Sequence, residues 1–459
     1  MVAVRILLAA LLCPAPALAS SYRFAFERFT IPDDGQIIGN GINNAGDVAG
    51  VVDDFATGSL KRLGFVRRGA DVLLIDFPGT DDLNGTVANG IDDAGRVVGR
   101  FTVAPLGSRT HGFIMQGEQA ESFDVPGSSF TEASDINNHG VVVGRTFLGA
   151  GLDIGTAFVR TGDQYSFFRP PDALGPFGSA FYGINDDGDT VGEVLSATGF
   201  QGFAILDGVY MPFTIPGSYL TFAHGINDAD QIVGWYYDGQ EVGLIHGFLM
   251  DFSGVYRIDV PAEGSYGTFI AGINDEGSIV GSVGFHRFPA QEAVVGSPCA
   301  EGDDACVTAP RIGDPLIDFT LRVGVDVRPG TATNPVHPAA GGVIPVALLG
   351  SANFHVADVD QATLALGPLG AAPQHAHAVD VNDDGALDLL VQFRTGESGI
   401  GAGDTEVCMT GALLSGRPFR GCDAIRTVPG TRNHQVPIDR GFLNSPSRQA
   451  AALRGMDSK

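Results

Sequence analysis

The chain has 459 residues, of which 44% are hydrophobic and 17% charged, and its formal net charge at pH 7 is −26. This composition is typical of a folded protein with more than one domain and excludes a largely disordered chain. The 65 glycines and the low share of charged residues favour turn-rich β-structure over helices with charged faces. The negative charge disfavours nucleic acid and anionic lipid as partners.

The chain begins with a predicted export signal. Arg5 precedes the apolar run 6–12, and Ala17-Leu18-Ala19 is a cleavage site of the A-x-A kind. We therefore expect residues 1–19 to be a cleaved signal peptide and the mature protein to be secreted, either outside the cell or into the periplasm. Cys13 would suggest a lipoprotein anchor, but it follows a leucine where a lipobox has a small residue. No later apolar run reaches the roughly 18 residues of a membrane span, which predicts no membrane insertion.

Three short motifs recur along the next 265 or so residues, with a period of about 45 residues. The first is a ten-residue motif with six copies: GINNAGDVAG from Gly41, GIDDAGRVVG from Gly90, DINNHGVVVG from Asp135, GINDDGDTVG from Gly183, GINDADQIVG from Gly225 and GINDEGSIVG from Gly272. The second is an apolar residue three positions before a proline, at Pro32, Pro78, Pro126, Pro171, Pro216 and Pro261. The third is Gly or Ala before a phenylalanine, at Phe65, Phe113, Phe158, Phe203, Phe248 and Phe285.

Each period contains four short β-like runs, which is the size of one propeller blade. It is too long for one rung of a hexapeptide β-helix, and it lacks the amphipathic helical periodicity of HEAT-like arrays. The mature chain starts with a proline-motif strand alone, near residue 24, and the sixth unit stops near Phe288 without one. We therefore predict a six-bladed β-propeller over residues 20–289, closed by the N-terminal strand, which leaves no open edge. An open β-solenoid or another number of blades is the alternative.

The pattern GINDxGxIVG, HGFL and DxPG resembles the extracellular HAF-repeat proteins of bacteria. The resemblance covers about residues 24–288 and carries no defined activity with it. Two copies keep the histidine before Gly-Phe, at His111 and His246.

The acidic segment of each motif copy predicts a hairpin turn. Asn and Asp bond to their own backbone and tolerate a left-handed conformation, and Gly supplies a positive φ at the end of the turn. The functional alternative is a ring of carboxylates that binds cations, formed by Asp92, Asp93, Asp186, Asp228 and Asp275.

Two side-chain groups of the repeats admit both a structural and a functional interpretation. His111 and His246 are expected to bond a backbone carbonyl. Trp235, Tyr236 and Tyr237 form the densest aromatic cluster of the repeats, which is either a thicker blade core or a platform for sugar rings.

After the repeats, residues 290–316 are predicted to be a linker, residues 317–430 a small β-sandwich-like domain, and residues 431–459 a flexible tail. Four cysteines remain after signal cleavage, and an even number in an exported protein predicts two disulfides. The local pairs Cys299–Cys306 and Cys408–Cys422 are the most economical of the three possible pairings. Their spacing does not match a zinc site.

The segment DVNDDGALD predicts a calcium loop. Asp380, Asn382, Asp384 and Asp388 occupy positions 1, 3, 5 and 9, Gly385 occupies position 6, and the carbonyl of Ala386 is a further candidate ligand. Oxygen ligands two residues apart converge on a hard cation, here Ca²⁺.

Position 12 of this loop is Val391 where an EF-hand has a glutamate, and the flanks are β-like, so the loop resembles the calcium loops of β-folds such as integrin-type repeats. Asp404 or Glu406 could complete the ligand set, and an Asx-turn hairpin without metal is the alternative. His375 and His377 share one face of the preceding strand and could bind a transition metal, although no third ligand is in view.

The whole C-terminal segment resembles a β-domain appended to many secreted bacterial proteins, which implies an accessory role. We predict a secreted binding or structural protein whose ligand is a glycan, a surface polymer or a protein. The alternative is a polysaccharide hydrolase or lyase, which would need inward polar residues that depart from the repeat. Arg169, Tyr165, Tyr182 and Glu193 are such departures, and no nucleophile-elbow or HExxH motif accompanies them.

Overall fold

The computed structural model of the chain describes residues 22–31, 36–54, 61–104, 109–148, 154–171, 173–174, 178–239, 243–285, 291–299, 303, 305–351 and 354–428. The predicted signal peptide and the predicted tail therefore lie outside the described residues. The described residues form strands and two short 3-10 helices, Val356–Asp358 and Thr395–Glu397, which confirms the all-β prediction. None of the described helices is long and apolar enough to cross a membrane.

The chain divides into two compact units. The first contains residues 1–323 with the short segments 357–360 and 411–420, and the second contains residues 324–356, 361–410 and 421–459. The first unit opens with β1 (Tyr22–Phe29), which pairs with late strands of the unit rather than with the strand that follows it.

The next strands of the first unit form consecutive sets of four antiparallel strands, each in chain order. The first set is β2 (Gln36–Ile42), β3 (Val48–Asp54), β4 (Lys61–Arg68) and β5 (Asp71–Ile75). The second is β6 (Thr86–Ile91), β7 (Arg96–Val103), β8 (Arg109–Gln116) and β9 (Gln119–Phe123). The third is β10 (Thr131–Ile136), β11 (Val142–Leu148), β12 (Ile154–Thr161) and β13 (Gln164–Phe168).

The fourth set is β14 (Ser179–Ile184), β15 (Thr190–Ser196), β16 (Gly199–Leu206) and β17 (Val209–Phe213). The fifth is β18 (Ser218–Ile226), β19 (Ile232–Asp238), β20 (Ile245–Asp251) and β21 (Gly254–Ile258). The sixth takes β22 (Ser265–Ile273), β23 (Ile279–Phe285) and β24 (Gln291–Pro298) from its own part of the chain. A single parallel bridge between Ile245 and Gly267 joins the fifth and sixth sets.

The fourth strand of the sixth set is β1. It pairs antiparallel with β24 over six residues, from Phe24 opposite Pro298 to Phe29 opposite Ala293. The N-terminal strand therefore occupies the position that the phase of the repeat predicts for it. Its other edge pairs with β25 (Val307–Ala309), and β26 (Arg311–Gly313) pairs with β21.

The predicted boundary at 289 and the predicted linker 290–316 are wrong for β24, β25 and β26, which belong to the sheets of the first unit. Phe285, assigned above to the sixth Gly-Phe motif, ends β23, and Val294 on β24 lies opposite Gly281 instead. A residue opposite Gly281 has to lie on the third strand, which returns along β23 after a turn. Phe285 lies on β23 itself, the same strand as Gly281. The sixth unit thus keeps the strand but replaces its phenylalanine.

Apolar side chains pack between consecutive sheets. In the other five units the phenylalanine of the third strand is fully buried, as at Phe65 and Phe248. The glycine that ends the motif makes room for it, because a Cβ on Gly50 would lie 2.6 Å from the Phe65 ring. The sixth sheet packs on the first in the same way, since Val280 and Ala293 share a buried cluster with Ile37, Val48 and Phe65.

The C-terminal part of the chain contributes ten further strands. These are β27 (Leu321–Arg322), β28 (Gly324–Val327), β29 (Pro335–Val336), β30 (Val343–Leu349), β31 (Val359–Leu366), β32 (Pro373–Val379), β33 (Asp388–Arg394), β34 (Glu406–Leu413), β35 (Pro418–Ala424) and β36 (Arg426–Thr427). They form one sheet in the order β28-β30-β33-β32, a second in the order β27-β35-β34-β31, and a two-stranded sheet of β29 and β36.

The four cysteines that remain after the predicted signal form two disulfides, Cys299–Cys306 and Cys408–Cys422. This confirms the local pairing that the sequence favoured. Disulfides of this kind persist in oxidising compartments, in agreement with export.

Candidate functional site

Each motif copy forms the hairpin turn that the sequence predicts, and one hydrogen-bond pattern closes it. In the sixth copy the Asn274 Oδ1 accepts from the Ser278 amide at 2.8 Å, and the Gly277 amide donates to the Asn274 carbonyl at 3.0 Å. Gly277 has a φ of +75°. In the fifth copy Asp230 stands in place of this glycine and adopts a φ of +54°, which Asp tolerates better than most residues.

Hydrogen bonds from a side chain to the backbone of the next turn join all consecutive turns except the second and third. We call the residues at this position of the six turns the first turn ring. Its members occupy the Asn position of the motif: Asn43, Asp92, Asn137, Asn185, Asn227 and Asn274. The Asn274 Nδ2 donates to the Asn43 carbonyl at 2.8 Å, which links the last turn to the first. Asp92 has no N–H to donate to the next turn, and its carboxylate instead bonds the side chain of Arg96.

The next residue of each turn forms a second turn ring: Asn44, Asp93, Asn138, Asp186, Asp228 and Asp275. Each backbone N–H donates to the side-chain oxygen of the following turn at 2.8 to 2.9 Å, and the Asp275 amide returns to Asn44 Oδ1. These side chains therefore have the structural role predicted for the turn. Of the five carboxylates proposed above as a cation ring, Asp92 belongs to the first ring and the other four to the second.

Charge is unevenly distributed in the second turn ring. The Asn44 and Asn138 amides each donate to carboxylates on both sides, whereas Asp186, Asp228 and Asp275 are consecutive acids. Burial raises the pKa of Asp228 to about 6, and the charges of Asp275 and Asp186 add to this effect. Proton uptake by Asp228 relieves the repulsion among the three acids.

A β-bulge aims one residue of every first strand into a central cavity. The register shifts at the residue just before the motif in all six sheets, at Asn40, Asn89, Ser134, Tyr182, His224 and Ala271. These six bulge residues line a cavity of about 30 Å³ together with the turns that follow them. Such a volume holds one or two water molecules.

Two arginines and a glutamate lie next to the bulge residues. The Arg100 Nε donates to Glu132 Oε1 at 3.0 Å, and the Arg145 Nε donates to Glu132 Oε2 at 2.7 Å. Burial alone would raise the pKa of Glu132, but Arg145 and Arg100 outweigh it and lower that pKa to about 2. One carboxylate therefore holds two guanidinium groups.

Tyr182, Glu193 and His224 lie beside these three residues. We call the six together the cavity cluster: Arg100, Glu132, Arg145, Tyr182, Glu193 and His224. The Tyr182 hydroxyl donates to Glu193 Oε1 at 2.9 Å, and the rings of Tyr182 and His224 stack with centroids 4.4 Å apart. Burial raises the pKa of Glu193, against the opposing influence of Arg145. Burial, followed by the charge of Arg145, lowers the pKa of His224 to about 4, so this imidazole is neutral at pH 7.

Aromatic side chains continue from the cavity cluster toward the strand ends that lie away from the turns. We call them the aromatic wall: Tyr219, Phe222, Trp235, Tyr237, Tyr266 and Phe269. Trp235 stacks on Phe222 at 4.1 Å and meets Tyr237 and Phe269 edge-on at 5.7 and 5.3 Å. Tyr219 is 51% exposed. Tyr236 points to the other side of the sheet and is buried, so it is not part of the cluster predicted from the sequence.

The other predicted side chains do not join this site. His111 and His246 bond the carboxylates of Asp124 and Asp259 at 2.9 and 2.6 Å rather than a backbone carbonyl, which corrects the expected partner. The carboxylate is within reach because Asp124 and Asp259 directly follow Phe123 and Ile258, the last residues of the fourth strands, which pair with the glycines next to the two histidines. Of the departures from the repeat, Tyr182 and Glu193 converge, whereas Tyr165 bonds the carbonyl of Asp124 and Arg169 is exposed.

The predicted calcium loop connects β32 to β33, so its flanks are strands as expected. Asp380 Oδ1 and Asn382 Oδ1 both accept from the Asp384 amide, at 3.3 and 3.2 Å. Gly385 has a φ of +89°. Asp388 is fully buried, and its two oxygens accept from the amides of Gly350 and Val381 at 2.8 Å.

Among the residues that the structure describes, the carboxylates of this loop do not form a group of three whose oxygen atoms lie within 4.8 Å of one another. Among the described residues, groups of three or more Asp, Glu, His or Cys ligand atoms within 4.8 Å of one another occur around the two disulfides, Cys299 with Cys306 and Cys408 with Cys422. His375 and His377 are exposed and belong to neither group. Asp388 therefore fixes the loop, and the half-buried Asp380 and the exposed Asn382 and Asp384 remain as its oxygen ligands for a cation.

Sequence reasoning missed Arg100, Glu132, Arg145 and His224. A signal for Arg100, Arg145 and His224 exists, because the residue directly before or after each motif copy varies while the motif itself repeats, whereas Glu132 lies three residues before its copy and has no such signal. These flanking positions are Tyr182 and His224 before the motif and Arg100, Arg145, Glu193 and Trp235 after it. Residues that depart from a repeat at a position facing a shared cavity are candidates for binding.

No protein-family model matches the sequence, and no characterised protein matches it by sequence. Solved structures with partial similarity include a protein of unknown function from Dyadobacter fermentans, with 10% identity over 61% of this chain and 100% of that chain and a TM-score of 0.39. Trypanosoma rangeli sialidase shows 8% identity over 57% of this chain and 54% of that chain, with a TM-score of 0.33.

Aleuria aurantia lectin shows 11% identity over 81% of this chain and 98% of that chain, with a TM-score of 0.24. All three TM-scores are below 0.5, so these likenesses carry no argument about function. The resemblance to HAF-repeat proteins stays a prediction from the sequence.

Proposed function

We propose that the chain is a secreted binding protein whose first unit is a six-bladed β-propeller closed by β1 and binds a glycan at the aromatic end of its central cavity. Support for a closed propeller comes from the second turn ring, whose hydrogen bonds pass through all six turns and return to the first. The pairing of β1 with β24 and the packing of the sixth sheet on the first support the same arrangement. A glycan is favoured over a surface polymer of other chemistry or a protein.

The observation that carries the glycan proposal is the partly exposed aromatic wall beside polar groups. Trp235 and Tyr237 are neither buried nor fully exposed, and Tyr219 is half exposed. Aromatic faces bury the apolar face of a sugar ring, and nearby polar side chains bond its hydroxyls. The Tyr182 and Glu193 pair, as well as Arg145, supplies such groups at the inner edge of the wall.

The chain has one tryptophan, Trp235, so its fluorescence reports directly on the proposed site. A glycan array of the secreted full-length protein identifies ligands, and titration with each hit should change the emission of Trp235 saturably. The variant Trp235→Ala should weaken binding measured by calorimetry by about thirtyfold, since an aromatic anchor contributes about 2 kcal/mol or more.

Phe167→Ala is the matched control, because Phe167 is 48% exposed on β13, the fourth strand of the third set. It should bind like the unmodified protein. Glycan binding that is unchanged in the Trp235→Ala protein, or binding only to proteins, would refute the proposed site.

Catalysis is the second candidate, and one observation favours it. Glu193 accepts a hydrogen bond from Tyr182, burial raises its pKa, and a raised pKa is what a carboxyl needs to act as a general acid. Each glycan that binds should therefore be incubated with the protein and the reducing ends counted. Turnover that disappears in Glu193→Gln while Trp235 fluorescence still reports binding would establish an enzyme instead of a binding protein.

We also propose that the C-terminal strands over residues 317–430 form a small β-sandwich-like domain with a calcium site at Asp380, Asn382, Asp384 and the Ala386 carbonyl. Asp388 is assigned to it as the residue that holds the loop, through its bonds to Gly350 and Val381. The shared acceptance of the Asp384 amide by Asp380 and Asn382 supports the proposal, because it gathers two side-chain oxygens on one side of the loop.

Millimolar calcium should raise the melting temperature of the full-length protein relative to chelator, since extracellular calcium modules bind at about 10⁻⁴ to 10⁻³ M. Asp380→Asn should abolish this rise, whereas Asp360→Asn, on β31 of the other four-stranded sheet, should retain it. An equal response of the unmodified and Asp380→Asn proteins to calcium would exclude this loop as the site.

A further inference from the structure

The two arginines of the cavity cluster share one hydrogen-bonded carboxylate. Both guanidinium groups donate to Glu132, whereas Glu193 accepts from the Tyr182 hydroxyl. Burial raises the pKa of Glu193. Among the described residues, Arg100 and Arg145 therefore have Glu132 as their hydrogen-bond partner, and a carboxylate of a ligand supplies a second one.

The guanidinium groups also retain unused donors. Each is held to Glu132 through its Nε, and in the part of the chain that the structure describes neither Arg100 nor Arg145 makes a further hydrogen bond to a side chain or a carbonyl. The Nη groups of both arginines are therefore available to a ligand. A guanidinium with two free parallel N–H groups matches a carboxylate in bidentate fashion.

A ligand can reach these groups. The side chain of Arg145 is 33% exposed and that of Arg100 is 18% exposed, although their partner Glu132 is almost buried. The Arg145 guanidinium lies 5.5 Å from the centroid of the Phe130 ring, which orients its plane. Arg145 also acts electrostatically on Tyr182, Glu193 and His224, so it faces the same part of the cavity as they do.

From this geometry we infer that the glycan is anionic, with a carboxylate on its sugar ring that binds to the Nη groups of Arg145 and Arg100. The inference rests on the proposed glycan-binding function. The sugar ring stacks on the aromatic wall, beginning at Trp235, and its carboxylate points inward to the arginines. His224 lies between the two groups, 5.8 Å from Trp235 between ring centroids, and it is neutral at pH 7, so it adds a hydrogen-bonding group without charge.

The test compares acidic oligosaccharides with their methyl esters. The acidic probes are oligogalacturonate, oligomannuronate and a sialylated oligosaccharide, each titrated against Trp235 fluorescence beside the same compound with its carboxyls esterified. At least one acid should bind about 10- to 100-fold more tightly than its ester, since hydrogen bonds to a charged group are worth about 1.5 to 3 kcal/mol. This comparison uses the unmodified protein and does not depend on any variant folding.

Arg145→Lys separates ligand binding from a purely structural role. A lysine keeps the positive charge beside Glu132 but offers no bidentate fork, so the variant should fold and lose most of the preference for acid over ester. The neutral ester should bind the variant and the unmodified protein alike. Retention of the full preference in Arg145→Lys would overturn the assignment of the arginines.

The outcomes keep the two proposals apart, and binding to Trp235→Ala, which has no tryptophan, is measured by calorimetry. Equal binding of acids and esters, both lost in Trp235→Ala, would overturn the anionic ligand and leave the glycan site standing. Absence of any emission change with acids, esters and neutral array hits would refute the glycan site itself. Preference for acid that survives in Trp235→Ala but not in Arg145→Lys would support the arginine site and refute the aromatic wall.

Discussion

Asp135 provides the most direct test of the electrostatics of the central cavity. It stands where the other five motif copies have glycine, and its Oδ2 accepts from the Ile184 amide at 3.2 Å. Burial raises the pKa of Asp135 to about 7 from 3.8, with a small addition from the charge of Asp92. The structure therefore stabilises the protonated form of this carboxyl.

The sign of the effect on stability follows from this shift. Between about pH 4 and pH 7 the folded protein keeps the proton on Asp135, whereas the unfolded chain releases it. The contribution of Asp135 to the free energy of unfolding is therefore highest below pH 4, and it falls as the pH rises through this window. At about 1.4 kcal/mol for each tenfold change in proton affinity, the rise from 3.8 to about 7 corresponds to about 4 kcal/mol.

The variant Asp135→Asn removes the charge and keeps an oxygen for the Ile184 amide. Free energies of unfolding should be measured by denaturant titration at pH 4, 5, 6, 7 and 8 for both proteins. The two proteins should be about equally stable at pH 4, and the variant should be more stable at pH 8 by up to about 4 kcal/mol. Other buried acids affect both proteins equally and cancel in the difference. A difference that does not change with pH would refute the reasoning.

Three further outcomes follow from the same contacts. Phe24→Ala should lower the free energy of unfolding by about 3 to 5 kcal/mol, because Phe24 on β1 is 1% exposed. The control Ala25→Ser, on the exposed face of β1, should change it little. Equal small effects of the two substitutions would mean that β1 does not hold the sixth sheet. Asn274→Ala should cost about 1 to 3 kcal/mol in a denaturant titration, since it removes the Nδ2 donor to the Asn43 carbonyl and the Oδ1 acceptor of the Ser278 amide, and no loss would show that the first turn ring is dispensable. Glu132→Gln should cost about 3 kcal/mol of the free energy of unfolding at pH 7, because both arginines lower the pKa of that carboxyl. The loss should become progressively smaller as the pH falls from about 4.5 to 2. A loss that stays constant over this range would contradict the ion pairing.

The turns were predictable because their chemistry is local. Asn274 and Gly277 act within one hairpin, so the residues that repeat are those that close each turn. The disulfides were predictable for a similar reason, as both pairs are close in sequence. The placement of β1 followed from counting strands, since the repeat begins with a fourth strand and ends without one. The boundary at 289 failed because Phe285 imitates a motif whose position in the sixth sheet belongs to Val294.

The rings and the cavity cluster required three-dimensional information. The motif alone did not show that Asn274 donates to Asn43, although the two lie in the last and first copies. Nor did it show that Arg100 and Arg145 share the carboxylate of Glu132, since each arginine follows its own motif copy as an ordinary surface residue would. The partners of His111 and His246 were also not predicted, because Asp124 and Asp259 directly follow the neighbouring strand and are brought to the histidines by strand pairing.

By itself the sequence determined the period, the hairpin turns, the all-β class, the disulfide pairs and the strand that completes the last sheet. All of these depend on residues that are near one another in the chain or on the count of repeated strands. Tertiary structure alone decided that Tyr182, Glu193 and Arg145 lie together and that Trp235 lies beside their neighbour His224. These residues flank different motif copies, and they come together because a bulge at the same position of six first strands places its residue along one cavity.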